Sequence, residues 1–200
     1  MNKVAISFDE KLFLALNGNH SEFLDSVMLL ASNLFSCIPI FIFIVFIAAK
    51  YYKKQGYSYP LANSVLLTGI LLLGFMFCLF VLPPTFSGIL ERQKPCFNPS
   101  ISSLVRMVGE DCSNTSSFFA VRPCVMFCIT SFLLFTLKKE FPVTKAILIF
   151  WSLLVSYSRI YLGAHYPFNI LIADLIGFFC GFITSRLYFY MKYDIFGGVY

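Results

Sequence analysis

An arginine and a histidine, Arg159 and His165, stand six residues apart in the stretch Ser158–Asn169, which reads SRIYLGAHYPFN and separates two long apolar runs. A guanidinium can hold an anion in a fixed orientation, and an imidazole can serve as nucleophile, base or acid near neutral pH. Asn169, four residues beyond His165, carries an amide oxygen that can orient such a ring but adds no negative charge. His165 is one of two histidines in the chain. The other, His20, follows the turn-like Asn17-Gly18-Asn19 and reads as a solvated side chain. Placed between apolar runs, Arg159 and His165 sit at or near a membrane boundary, where ionisable groups are costly and mark candidate sites.

The elements that must position these groups are membrane spans. The chain has 200 residues, of which 58% are hydrophobic and only 12% charged, against about 25% charged in a soluble domain; its mean hydropathy is +0.79. This composition predicts an all-α polytopic bundle of about five spans, forming one membrane domain over residues 1–200. A short amphipathic helix, Phe8–Leu16, is too short to span and is expected at the interface. With Asp9 and Glu10 ahead of only a short apolar stretch, no cleaved leader is expected. The first apolar segment, Phe23–Ala49, is expected to break at Pro39 into a short helix and a span. The second span is predicted over Leu61–Leu82, closed by Pro83-Pro84. After a long polar region, Thr85–Ser117, come spans at about Phe118–Leu137, Val143–Ser156 and Phe168–Tyr190.

The net charge of +5 does not point to nucleic acid, because the basic residues sit at the ends of apolar runs. With the long polar loop outside, the clusters Lys50, Lys53, Lys54 and Lys138, Lys139, Lys145 fall on the inner side, as do Arg186 and Lys192. Short-loop clusters weigh most in orientation, which puts the polar loop and the corner after Arg159 on the outer face. Of the seven cysteines, Cys96 and Cys112 lie in that loop. They can pair in an oxidising compartment, and otherwise they are two free thiols. No cysteine or histidine spacing suggests a metal site.

The pattern Ser158-Arg159-x5-His165-x3-Asn169 resembles the third signature of the type 2 phosphatidic acid phosphatase family, Ser-Arg-x5-His-x3-Asp. The order of spans and the long loop between the second and third resemble the same family. The resemblance implies a membrane lipid phosphatase needing no cofactor or metal ion, with His165 as nucleophile, Arg159 as phosphate ligand and Asn169 in the carboxylate position. The family's first signature, Lys-x6-Arg-Pro, corresponds to Lys94-Pro95, with Ser87 at the lysine position and Arg92 as a partial substitute. The second, close to Pro-Ser-Gly-His, corresponds to Thr115-Ser116-Ser117-Phe118, or shifted by one to Phe119, with no histidine to serve as general acid. The expected substrate-binding set is Lys94, Arg92, Ser117, Ser158 and Arg122, and the Lys94-Pro95-Cys96 run is similar to one common in bacterial members.

Two classes of function follow from this resemblance. One is a lipid phosphate or polyprenyl diphosphate phosphatase facing the periplasm from a bacterial inner membrane, with weak or altered activity. The other is an inactive relative that binds an anionic lipid headgroup in the same pocket. A diphosphate lipid leaves a phosphomonoester anion, which needs the missing acid less than an alkoxide does, so diphosphate lipids are the favoured substrates. A third reading, a small transport or assembly protein with a coincidental match, does not require the polar loop and His165 to share a face. Two charges remain open: Arg122 and Asp174 can pair within the bundle, or Arg122 can snorkel outward or bind the headgroup. Asp174, five residues beyond Asn169, points elsewhere around its helix.

Overall fold

The computed structural model describes residues 6–33, 37–54, 60–87, 92–109, 119–137 and 141–196. All of the regular structure in these residues is helical apart from one isolated bridge residue. Helix α1 spans Phe8–Asn17 and α2 spans Glu22–Ser32, followed by α3 (Cys37–Lys54), α4 (Pro60–Met76), α5 (Leu82–Ser87), α6 (Val121–Thr136), α7 (Pro142–Tyr161) and α8 (Pro167–Phe196). Among the described residues, three helical stretches are long and apolar enough to cross a membrane: Pro60–Phe86, Pro142–Tyr161 and Pro167–Ile195. The apolar α6 is shorter.

Helix α1 begins with a capping box. Ser7 Oγ accepts from the Glu10 amide and Glu10 Oε2 accepts from the Ser7 amide, so two of the orphan donors at the helix start are satisfied. Prolines at two places behave differently from the sequence expectation. Pro39 does not break the first apolar segment. The break follows Ser32, and Pro39 sits in the first turn of α3, where its missing N–H costs nothing. Pro83-Pro84 does not close the second span. The helix runs on through α5, and the five residues Phe77–Val81 just before the prolines widen into a π-helical turn. The prolines cannot donate to the carbonyls one turn back, and a π turn is a common way for a helix to absorb such a defect.

The core contact is α6 against α8. Gly177 and Gly181, one turn apart on α8, let the two backbones meet. A Cβ on Gly177 would lie 2.1 Å from the Cys124 carbonyl oxygen, and one on Gly181 would lie 2.2 Å from that of Cys128. This is the small-xxx-small packing of membrane helices. Buried hydroxyls add polar links between helices. Ser131 donates to the Phe178 carbonyl at 2.7 Å, and Thr130 and Ser152 share a bond of 2.7 Å between α6 and α7.

Because a backbone oxygen cannot move aside, Gly177→Leu must drive α6 and α8 apart. We expect a loss of about 1–3 kcal/mol or more, read as a lower unfolding temperature in detergent. Gly69→Ala, whose Cβ would meet nothing within 4 Å, is the control. Equal melting of both variants would refute the close-contact account.

Candidate active site

The site lies at the end of the bundle where α7 turns into α8. The turn is set by backbone hydrogen bonding. The amides of Ala164 and His165 both donate to the Arg159 carbonyl, at 3.0 and 3.2 Å, and Gly163 donates to Ile160. Gly163 has φ +82, and a Cβ there would lie 2.7 Å from the Arg106 carbonyl oxygen. Only glycine fits both the left-handed backbone and that approach. Pro167 then opens α8. The close approach of Arg106, and the Val108 amide donating to Leu162 at 3.4 Å, put the polar loop and His165 on one face of the bundle.

The N-terminal helices lock this corner. Asn17, 1% exposed, ends α1. Its amide donates to the Arg106 and Tyr161 carbonyls at 2.9 and 2.8 Å, and its oxygen accepts from the Arg106 amide at 2.8 Å. The expected turn at Asn17 is therefore a buried clasp joining α1, the loop and α7. Beside it, Arg106 grips Asp25 of α2 with two bonds of 2.9 and 2.5 Å, and the Tyr161 hydroxyl donates to Asp25 at 2.6 Å.

Four of the residues singled out in the sequence, Arg92, Asn169, Arg122 and Arg159, fall into two clusters flanking the corner. In the first, Arg92 Nη1 donates both to Asp9 Oδ2 at 2.6 Å and to Asn169 Oδ1 at 3.1 Å. The guanidinium stacks 3.7 Å above the Tyr166 ring. Asp9 Oδ1 accepts the Phe168 amide at the start of α8, at 3.0 Å. Asn98 joins Glu10 to the Tyr166 hydroxyl. In the second cluster, Arg122 of α6 donates from Nη1 to Ser32 Oγ at 2.8 Å, and Arg159 Nη1 donates to the same oxygen. Arg159 is 5% exposed and His165 6%.

Asn169 Oδ1 accepts from Arg92, and the buried His165 Nδ1 makes no hydrogen bond with the described residues, although the side chain as a whole is engaged. Arg122 and Asp174 do not pair. Asp174 accepts from Ser156 Oγ at 2.9 Å, and its helix position leaves Arg122 with Ser32. Ser158 is fully buried and donates back to the Val155 carbonyl at 2.6 Å, a local bond within α7. Lys94 precedes the short turn Pro95–Phe97 and makes no side-chain bond among the described residues. Cys96 is disulfide-bonded. Its expected partner Cys112 lies outside the described residues, as do Ser117, Thr115, Ser116 and the Ser87 side chain. Phe119, next to the missing histidine, is buried and stacks on Phe86 with ring centroids 5.1 Å apart. His20 is exposed in the α1–α2 turn.

The sequence reading missed Asp9, Asn17 and Ser32. Asp9 lies inside the capping-box pattern beginning at Ser7, which signals a helix start but not a partner for Arg92. Nothing local marks Asn17 or Ser32.

The PAP2 superfamily model matches residues 89–193, and the chain belongs to this superfamily of membrane phosphatases. It is similar to the lipid A 4′-phosphatase of Bacteroides thetaiotaomicron, 28% identical over 176 residues covering 88% of this chain and 74% of that one. The lipid A 4′-phosphatase of Porphyromonas gingivalis is 25% identical over 189 residues, covering 94% and 75%. The crystal structure of Aquifex aeolicus LpxE shares the fold, with a TM-score of 0.68 at 22% identity, covering 93% of this chain and 99% of that one.

The lock on the corner has a pH signature. The Arg106 guanidinium, and then the Tyr161 hydroxyl, hold the Asp25 carboxyl down at about 2, against an ordinary value of 3.8. A depressed carboxylate contributes stability above its unfolded pKa and loses it as pH falls through the folded one. Between pH 4 and pH 2 the unfolding temperature should fall more steeply in the wild type than in Asp25→Asn, which starts lower at neutral pH. Parallel slopes in the two proteins would remove Asp25 from the lock.

Proposed function

We propose that residues 1–200 act as one membrane domain with five spans, α3, α4–α5, α6, α7 and α8, that removes a phosphate from a lipid headgroup on the outer face. The observation that carries this reading is the corner itself. It buries Arg159 and His165 at one end of an apolar bundle, beneath the polar loop, with three further arginines within the same assembly. Burial raises the strength of every charge interaction there. The similarity to lipid A 4′-phosphatases supports a phosphorylated lipid as substrate. So does an apolar groove of about 400 Å³, lined by Leu30, Pro39, Phe43, Ile147, Leu148 and Trp151, which suits an acyl chain. The placement of the basic clusters and the disulfide at Cys96 support a bacterial inner membrane with the site on the periplasmic side.

In this reading a nitrogen of His165 attacks phosphorus as the bond to the lipid oxygen breaks. Water then cleaves the phosphohistidine and releases phosphate. Guanidinium groups stabilise the charge spread over the phosphoryl oxygens. The second histidine of the family, which would protonate the leaving oxygen, has no counterpart, and Phe119 packs beside its position. A leaving group stable as an anion is therefore favoured. That same gap supports a second reading, in which the chain binds an anionic lipid headgroup without turning it over.

The test is phosphate release by the full-length protein in detergent, offered lipid A, phosphatidate, phosphatidylglycerol phosphate and a polyprenyl diphosphate. We expect release that falls about 10³-fold or more in His165→Ala. We also expect the diphosphate lipid to turn over at least about tenfold faster than phosphatidate, since general acid catalysis is worth about 10²–10⁴-fold. Release that survives in His165→Ala would exclude the histidine nucleophile. No release from any substrate would leave the binding reading in place.

A further inference from the structure

Asp174 is an ionisable side chain inside a membrane-spanning helix, and the chemistry at the corner does not use it. It stands seven residues after Pro167 on α8, and Ser156 stands five residues before Tyr161 on α7. The pair therefore lies about 8–10 Å below the corner along the helix axes. Ser156 Oγ donates to Asp174 Oδ1 at 2.9 Å. The second oxygen, Oδ2, makes no hydrogen bond among the described residues, and Asp174 has no ion-pair partner among them. The side chain is partly exposed, between Leu171 and Leu175 on the lipid-facing side of α8. A carboxyl group is costly at this depth, and it marks a place where another polar group is to be met.

One helical turn further into the membrane lies an apolar cavity of about 230 Å³. Its walls are Ile149 and Ser152 of α7 and Phe178 of α8, over a floor of Phe127, Thr130 and Ser131 from α6. Ser152 and Phe178 are each four residues from Ser156 and Asp174, on the same helix faces. The Ser156–Asp174 pair thus stands at the outer end of the cavity. The hydroxyls around the cavity are spent on the protein: Thr130 and Ser152 bond to each other, and Ser131 donates to the Phe178 carbonyl. What remains is a surface for hydrocarbon. On α7, Ser152, Ser156 and Arg159 are spaced i, i+4, i+7 and share one face. Apolar cavity, unpartnered acceptor and buried guanidinium therefore follow one another outward to the corner.

We propose that this line of groups recognises a phosphorylated lipid whose acyl chain carries a hydrogen-bond donor near the headgroup, an amide N–H or a hydroxyl. Asp174 Oδ2 accepts from that donor while the chain enters the cavity between α7 and α8. The inference rests on the reading that the corner handles a lipid phosphate, and it names the class of lipid. Diacyl glycerolipids present only ester oxygens at this depth, which are acceptors and leave Oδ2 without a partner. A lipid with a donor supplies the missing bond in a setting where water does not compete for it.

Binding is measured on the full-length protein in mixed detergent micelles, and turnover is followed separately. The probes are phosphatidate, whose chains are ester-linked, and a ceramide 1-phosphate of matched chain length, which carries an amide N–H and a hydroxyl. Both are phosphate monoesters of a primary alcohol, so the corner meets the same group in each. The wild type should bind the ceramide 1-phosphate about tenfold or more tightly than phosphatidate. Asp174→Leu removes the acceptor, and the two lipids should then bind within about twofold of each other, with phosphatidate binding changed less than about threefold. Asp174→Asn keeps an acceptor oxygen and should keep the preference. If Asp174 served only to tie α8 to α7, both lipids would shift together and their ratio would stay the same. Equal binding of the two lipids by the wild type, a preference that survives Asp174→Leu, or failure of both Asp174 variants to fold overturns the proposal. A preference that depends on Asp174, with no phosphate released from any lipid offered, would count against the catalytic reading and leave this site standing. Release that needs His165 but shows no preference between the two lipids would do the reverse.

Discussion

Holding a guanidinium and an imidazole out of water at the end of an apolar bundle is the constraint on which the other features of this protein depend. Arg159 and His165 are each less than a tenth exposed, and a buried cation must be met by oxygen atoms to be tolerated. One of those atoms comes from far away in sequence, Ser32 Oγ on α2. The short helices α1 and α2 are thus structural parts of the site. They cover the corner, clasp it through Asn17, and bring Asp9, Asp25 and Ser32 to four different arginines.

The bundle beneath must be rigid for this arrangement to hold, and its rigidity comes from backbone proximity. In a bilayer, apolar side chains gain little by leaving lipid for one another, so close approach of backbones and buried hydroxyl links carry the association. Gly177 and Gly181 fix α8 against α6, while Thr130 and Ser131 tie α6 to α7 and α8. The helix that carries Asn169 is therefore positioned by glycines two and three turns further along it.

The helical membrane architecture, the polar loop and the Arg159–His165 corner were legible because each rests on many residues or on a rare combination of types. The misreadings concern single residues whose effect depends on context. Pro39 looks like a breaker until its place in the first turn is known. Pro83-Pro84 looks like a terminator unless the preceding turn can widen. The Gly177–Gly181 spacing was visible in the sequence, but its partner helix was not. Asn17 and Ser32 were illegible because asparagine and serine are ordinary at helix ends. Only the three-dimensional meeting of α1 and α2 with the other helices separates a clasp from a cap.

The two arginine clusters are held by different N-terminal helices. Arg92 is already neutralised by Asp9, and one Nη1 serves both Asp9 and Asn169. A carboxylate at position 169, as the family signature has it, would set two negative charges on that single nitrogen, and they would repel. An amide there and a carboxylate on α1 fit together: the negative charge facing Arg92 comes from the N-terminal helix. Arg92 is a half-buried tie between α1, Tyr166 and α8. Arg122 and Arg159 instead meet at the Ser32 hydroxyl, which ties the start of α6 and the end of α7 to the end of α2. The two clusters therefore anchor different N-terminal helices to the same corner, α1 through a carboxylate and α2 through a hydroxyl, and the corner is held from both sides.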